Sequence, residues 1–379
     1  MVESMEQKRM PVRNGFVDIQ KFLYSWIIVI LHFYIETHEH FGGGGHAVEF
    51  FLISSGAFFY AGYKRKTASL DADTLNLFPV SYIKKRFLRF LPYTLPTFIL
   101  GFFVSSVMKK NGIGFNGTAK IVNSFVSHIW DVFLISMCGL NGGKGMINGV
   151  TWTLSAMLIV EFLILNILVR DEKGFIRFYA PIAVMIALGV WKNIETADNN
   201  LWLNFTTFGV VRAFISTCVG MYAYMIARWL SKKKLNFSAR VMLTIIEITF
   251  NVLAVLSMAY RPARAYRLSC ILLFAVSIVI SLSNQSFTAQ WFNCNSKKIT
   301  DFLGEWSMTI YVTHVPIRDL FYKYFESPYV FYNTKYIYGI VVIITSIAFL
   351  YLGRWLNHVS PKVALAMKKA FIADEVVVS

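Results

Sequence analysis

The chain has 379 residues, of which 56% are hydrophobic and only 15% are charged, and its formal net charge is +16. A soluble domain carries roughly 45–50% apolar and about 25% charged residues, so this composition excludes a soluble globule, a disordered chain and a secreted disulfide scaffold. The bilayer must solvate much of the surface. The sequence therefore predicts an all-α, polytopic integral membrane helical bundle.

The first apolar run, 17–35, follows a basic segment, as the hydrophobic core of a signal peptide would. It contains Asp18 and Lys21 and lacks a small-residue cleavage site, so we expect a retained helix. A spanning helix needs about 17–25 mostly apolar residues. The runs that meet this need are 17–35, 46–63, 87–108, 150–169, 175–192, 206–230, 241–260, 267–284, 303–322 and 336–356.

The stretch 122–139 is apolar but short, and it either spans or lies in the interface as an amphipathic or re-entrant piece. If it does not span and the chain starts inside, about 23 basic residues lie on the cytoplasmic side against about 11 outside. If it spans, the basic cluster 232–234 falls outside, against the positive-inside rule. We therefore predict about ten spans in a single membrane domain, 1–379, with both termini cytoplasmic and no appended soluble domain.

The basic residues cluster in short loops between apolar runs, which favours contact with anionic membrane lipids over nucleic acid. Four scattered cysteines form no CxxC pair and no metal-ligand spacing. The segment 38–49 holds three His and two Glu, but it has no HExxH pattern, and four consecutive glycines would hold such ligands loosely. We expect an outer loop there and no metal.

The polar residues of the first run follow one helical stripe. Asp18 and Lys21 are three positions apart, His32 follows Lys21 by eleven, and Glu36 follows His32 by four. Positions eleven apart differ by only about 20° in direction and lie about 16 Å apart along a helix. A carboxylate beside an imidazole raises its basicity, which suits a general base acting on a hydroxyl. The structural alternative is that Lys21 snorkels and His32 merely bonds a neighbouring helix.

A basic cluster opens the third run. Arg86 and Arg89 are three residues apart, so two guanidinium forks can face one phosphate-bearing ligand. The alternative is a positive-inside anchor that binds lipid phosphates. Glu49 stands near the start of the second run, where it either reaches His32 or caps that helix.

Further polar residues lie inside the apolar runs, and ionisable groups in a bilayer are costly enough to indicate function. Each can line a shared polar cavity or form a structural bond between helices. They are Trp152, Glu161, Arg212 and His314, with Arg318 and Asp319 nearer the outer end.

In chain order these segments resemble the acyltransferase 3 family of integral-membrane O-acyltransferases. The stretches that are similar to its motifs are Asp18–Lys21 with His32, Val48–Gly56, Arg86–Arg89 with Pro92, Trp152–Ser155 with Glu161, and Phe302–Pro316. One departure is that His46 and Ala47 stand before the Val-Glu pair, where the family has Gly.

The resemblance implies ten core spans and an acyl-CoA donor, usually acetyl-CoA, with no permanently bound cofactor. It implies that His32 is essential for transfer and that Lys21, Arg86 and Arg89 serve the donor. The expected acceptor is a hydroxyl of a cell-surface glycan or a lipid-linked glycan at the cytoplasmic membrane, with Glu36 or Glu49 assisting His32. Direct transfer and an acyl-histidine intermediate both stay open, as does a homo-oligomer.

Two other functions compete with acyl transfer. A secondary transporter or exporter of an envelope glycan or lipid-linked intermediate would use the same charges, but it usually shows inverted repeats and matching broken helices, and none is apparent. A non-catalytic scaffold would leave the polar stripe of the first helix without a purpose.

Overall fold

The structure is a computed structural model that describes residues 13–37, 43–107, 115–140, 146–192, 199, 201–203, 206–260, 265–325 and 334–377. The described part is helical and contains no strand, only an isolated bridge between Trp202 and Thr207, so the all-α prediction is confirmed for these ranges. The helices are α1 (Gly15–Thr37), α2 (Ala47–Thr67), α3 (Ala72–Phe102), α4 (Phe115–Ser127), α5 (Ile129–Val132), α6 (Trp152–Gly174), α7 (Ala180–Lys192), α8 (Phe208–Ser231), α9 (Phe237–Ala259), α10 (Ala265–Ser283), α11 (Phe287–Asn295), α12 (Lys297–Phe325) and α13 (Lys335–Val377).

Six helical segments of the described ranges are long and apolar enough to cross a membrane, which makes the chain a multi-pass membrane protein. A bent pair within α10 and α11 makes a seventh if it is counted as one span. Helices cover all ten predicted runs, but α2 and α12 are less apolar, and the runs 150–169 and 175–192 belong to one long segment interrupted at Asp171. The count of ten spans and the cytoplasmic termini stay predictions. The six segments are Gly15–Phe33, Asp73–Ser105, Gly149–Trp191, Phe208–Ser231, Phe237–Ala259 and Lys335–Val359.

The stretch 122–139 does not form one continuous helix. Helix α4 ends at Ser127 and α5 begins at Ile129, so the longer piece has 13 residues and is about 20 Å long, against a hydrocarbon core of about 30 Å. Asp131 stabilises the turn that follows. Its carboxylate accepts hydrogen bonds from the Ser136 hydroxyl and, at 2.8 Å, from the Ile147 N–H. The structure thus favours the non-spanning alternative.

Helix α1 begins where Asn14 can cap it. The Asn14 side-chain oxygen accepts the N–H of Val17 at 3.1 Å, and its amide nitrogen donates to the Ser281 carbonyl of α10 at 2.7 Å. A cap of this kind satisfies one of the N–H groups that a helix start leaves unpaired. Helix α1 is therefore bound at its start to α10.

Helices α2 and α8 pack together through two glycines. A Cβ added to Gly56 would lie 2.4 Å from the Thr217 carbonyl oxygen, and one added to Gly220 would lie 2.1 Å from that of Ile53. Only residues without a side chain allow two backbones to approach so closely. This contact fixes α2, and with it Glu49 and Ser55, against the centre of the bundle.

Helices α1, α12 and α13 share a separate apolar cluster around the C-terminal half of α1. Val29 and Phe33 of α1 are buried there against Ile310 and Ile317 of α12 and Tyr338 of α13. His32 lies within this part of α1. The cluster therefore holds His32 beside α12, although α1 and α12 lie near opposite ends of the chain.

Candidate functional site

The imidazole of His32 is half-buried against α12 rather than turned toward lipid. Its Nδ1 lies 3.1 Å from Nη1 of Arg318, and its ring centroid lies 4.9 Å from that of His314. The Arg318 guanidinium is also bound to the neighbouring Asp319 at 2.5 Å. The predicted helper Glu36 is in α1, but its side chain lies outside the described residues.

The partner of His32 fixes the tautomer of its ring. A guanidinium has only donors, so Nδ1 of His32 must accept the bond from Arg318. In the neutral imidazole the proton is then on Nε2. The structure thus presents His32 with a lone pair directed at Arg318 and an N–H on its other side.

His314 lies directly behind His32 and has no exposed surface. Its Nδ1 is 3.2 Å from the Ile310 carbonyl oxygen one turn earlier in α12, and its own carbonyl accepts the Tyr338 hydroxyl at 3.2 Å. A carbonyl oxygen can only accept, so Nδ1 of His314 carries the proton. The two rings therefore have opposite tautomers.

The Glu49 carboxylate forms a buried ion pair with Arg212. Arg212 of α8 donates to Oε1 of Glu49 through Nε at 2.8 Å and Nη2 at 2.5 Å, and both residues are buried. Oε2 of Glu49 has no hydrogen-bond partner in the described part of the chain. Nη1 of Arg212 donates to Oδ1 of Asn199 at 2.5 Å. The Cζ atom of Arg212 lies 5.1 Å from the centroid of the Trp152 ring. The carboxylate neither reaches His32 nor caps α2.

Arg86 and Glu161 form a buried ion pair between α3 and α6. Arg86 Nε lies 3.1 Å from Oε2 of Glu161, which has no exposed surface, and the two atoms form an ion pair without a hydrogen bond. Arg86 also donates to the Ser55 hydroxyl at 2.5 Å and to the Tyr82 hydroxyl at 3.0 Å. Arg86 is therefore held in place, whereas Arg89, one turn later, is exposed.

Lys21 belongs to an ion-pair group at the start of α1. Its Nζ is 3.4 Å from Oδ1 of buried Asp18, whose other oxygen accepts from Arg13 Nε at 2.5 Å. Lys21 Nζ also lies 4.8 Å above the ring of Phe58. The cations whose electric field acts on Lys21 include Arg89 of α3. The structure thus brings two predicted donor-binding residues within electrostatic range.

The C-terminal end of α2 and the first half of α3 form a strongly positive surface. The pKa of Lys66 lies below its ordinary value of 10.5. Loss of solvent around its ammonium group lowers the pKa most, and repulsion by neighbouring cations lowers it further. Repulsion of this kind is relieved when an anion binds. The cations acting on Lys66 are Lys85, Arg65, Arg86 and Arg89.

The predicted residues thus fall into separate bonded groups: His32 with His314 and Arg318, Glu49 with Arg212 and Trp152, Arg86 with Glu161, and Asp18 with Lys21. The role of Arg318 was missed at the sequence level. Its spacing of four residues from His314 places both on one face of α12, and that spacing is the signal that could have found it.

Residues 38–42, which include two of the histidines considered as metal ligands, lie outside the described residues. A surface hollow of about 440 Å³ lies on α4 and is lined by Thr118, Ala119, Val122, Asn123 and Val126, so its lining has no ionisable side chain.

Comparison with known proteins identifies the family of the chain. Residues 14–355 match the family model described as an acyltransferase domain, Acyl_transf_3, which covers nearly the whole chain. No curated protein and no solved structure matches significantly. The match includes every described residue that the sequence analysis singled out, from Asp18 to Asp319. The chain therefore belongs to the acyltransferase 3 family.

Proposed function

We propose that this membrane acyltransferase moves an acyl group, most simply acetyl, from cytosolic acyl-CoA to a hydroxyl of a cell-surface glycan or a lipid-linked glycan precursor. The enzyme would be located in the cytoplasmic membrane, and His32 would be the general base. The observation that carries the proposal is the arrangement of α1. It has a cation group at its start and an imidazole eleven residues after Lys21, about 16 Å along the helix.

The positive surface around Lys66 supports the donor half of the proposal. CoA carries several phosphate charges, and guanidinium groups bind phosphate through parallel hydrogen bonds. Arg89 is exposed and close enough to act electrostatically on both Lys21 and Lys66. In this proposal Arg89 and Lys21 bind the phosphates, Arg86 is held behind them by Glu161, and the pantetheine arm runs along the polar side of α1 toward His32.

The surroundings of His32 support the acyl-transfer half. The ring is half-buried between helices, so water has limited access, and its orientation is fixed by bonded neighbours. In the proposed step His32 removes the acceptor's hydroxyl proton, and the oxygen attacks the thioester carbonyl carbon. The carbon–sulfur bond then breaks, and the CoA thiolate takes the proton from the imidazolium. Positioning both substrates beside one imidazole would supply much of the rate.

The test is transfer of radiolabelled acetyl from acetyl-CoA to envelope glycan in membranes that contain the full-length protein. We expect label in the glycan with the wild-type protein and a loss of about 10²–10⁴-fold with His32→Ala. The matched control is His358→Ala, because His358 is an exposed histidine on α13.

Each half of the proposal can fail separately. Absence of labelled glycan in wild-type membranes, at protein levels verified by immunoblot, would refute the acceptor class. Full labelling by the His32→Ala protein would remove His32 from the mechanism. Transport of an intact glycan across sealed vesicles without any acylation would favour the exporter instead.

A further inference from the structure

The lone pairs of the two imidazoles are used differently. Nδ1 of His32 accepts from Arg318, and no described residue bonds its Nε2–H. His314 donates its Nδ1–H to the Ile310 carbonyl, which leaves a lone pair on Nε2. That Nε2 atom is buried and has no hydrogen-bond partner in the part of the chain that the structure describes. A buried acceptor without a partner is costly, so its presence calls for an explanation.

The unused groups of the two rings are complementary. His32 offers a donor at Nε2, and His314 offers an acceptor at Nε2. Their centroids are 4.9 Å apart and the rings are tilted by 48°, so the two imidazoles are close neighbours in the structure. Burial distinguishes their roles, because His314 has no exposed surface whereas His32 is half-buried. An entering hydroxyl therefore meets His32 first.

We propose that His314 is a positioning residue for the transfer reaction: its Nε2 accepts the Nε2–H of His32 when the acceptor hydroxyl displaces Arg318 from Nδ1. This inference rests on the proposed function. The hydroxyl proton moves to Nδ1 of His32, and the hydroxyl oxygen forms a bond to the acyl carbon. The carbon–sulfur bond breaks, and the CoA thiolate leaves with the electron pair and takes the proton from Nδ1 of His32. Arg318 stays paired with Asp319, and His314 gains a hydrogen bond but no proton.

The arrangement has a clear physical advantage. A base that carries its own proton on the far nitrogen needs an acceptor there, because the imidazolium formed in the reaction has two N–H groups to satisfy. His314 supplies that acceptor without adding a negative charge to an apolar region, where a carboxylate would be costly. The resting contact with Arg318 keeps the reactive lone pair occupied until a hydroxyl arrives.

The experiment compares full-length His314→Leu and His314→Gln proteins in the acetyl-CoA labelling assay, with acetyl-CoA concentration varied. Leucine removes the acceptor, and we expect kcat to fall about 100-fold while KM for acetyl-CoA stays within about threefold. The glutamine amide oxygen restores an acceptor, so kcat of His314→Gln should be at least tenfold higher than kcat of His314→Leu. Tyr338→Phe is the matched control, because it disturbs the same turn of α12 but leaves the imidazole.

The outcomes separate this inference from the proposed function. No labelling by the wild-type protein refutes the proposed function itself. Wild-type labelling with an unaffected His314→Leu protein overturns the inference alone. Glutamine and leucine variants that are equally inactive overturn it too, because His314 would then itself take the proton. Apparent unfolding temperatures verify that each variant is folded, and His314→Met, a very weak acceptor, replaces leucine if that variant does not fold.

Discussion

The Arg86 guanidinium on α3 is bound 3.1 Å from the fully buried carboxylate of Glu161 on α6, 75 residues later in the chain. Removing one member of a buried pair leaves an uncompensated charge, at a cost of about 3–5 kcal/mol, whereas replacing both by apolar groups is often neutral. A substitution of Arg86 is therefore expected to affect stability as well as the proposed donor site.

We expect Arg86→Met to lower the apparent unfolding temperature in detergent, and Arg86→Met combined with Glu161→Leu to restore most of it. Arg86→Met leaves the Glu161 carboxylate buried without its partner, whereas the double variant leaves neither charge. Thermal unfolding followed by tryptophan fluorescence measures the difference. Equal destabilisation by the single and double variants would contradict this account of the pair.

Arg89 gives a cleaner test of donor binding, because it is exposed. Arg89→Ala should raise KM for acetyl-CoA about tenfold, as expected when a phosphate loses a charge-assisted bond, with little change in kcat or unfolding temperature. Lys232→Ala, at an exposed lysine after α8, is the control. If both variants raise KM equally, general surface charge rather than a phosphate site attracts the donor.

The glycine contact between α2 and α8 predicts a position-specific effect. Gly56→Ala should destabilise the protein by several kcal/mol, because its Cβ would lie 2.4 Å from the Thr217 carbonyl oxygen. Gly62→Ala in the same helix should be neutral or stabilising by up to about 1 kcal/mol, because its Cβ would meet its nearest neighbour, the Tyr82 ring, at 4.0 Å. Unfolding temperatures of the two variants in detergent provide the comparison, and similar values would refute close packing at Gly56.

The turn around Asp131 predicts a specific dependence on pH. Burial raises the pKa of Asp131 above its ordinary value of 3.8, although bonds from Ser136 and Ile147 partly oppose the shift. The folded state thus holds the proton more tightly than the unfolded state does. The Asp131 carboxyl therefore contributes its full stabilisation below the ordinary pKa of 3.8. This stabilisation is lost as the pH rises through the raised pKa of the folded state.

We therefore expect the unfolding temperature of the wild-type protein to rise relative to that of Asp131→Asn as the pH is lowered from neutral to about 4. The asparagine variant cannot titrate, so the difference between the two curves isolates this carboxyl. A constant difference across the range would show that the folded and unfolded states hold the proton equally.

The sequence was sufficient to single out the polar groups of α1, because their spacing is local. The stripe of α1 follows from the helical period, and helices do cover all ten predicted runs. The partners were not accessible in this way. Arg318 meets His32 across 286 residues, and Arg212 meets Glu49 across 163, so these contacts depend on which helices pack together. No local pattern contains that information.

The pairing of His32 with Arg318 also sets an order in time. A ribosome adds about 5–20 residues per second, so the 286 residues between them take roughly 15–60 s to make. The contact between His32 and Arg318 can therefore form only after α12 has been synthesised. The group of His32, His314 and Arg318 is thus among the last parts of the protein to be completed, and a nascent chain released before α12 would contain His32 without these two neighbours.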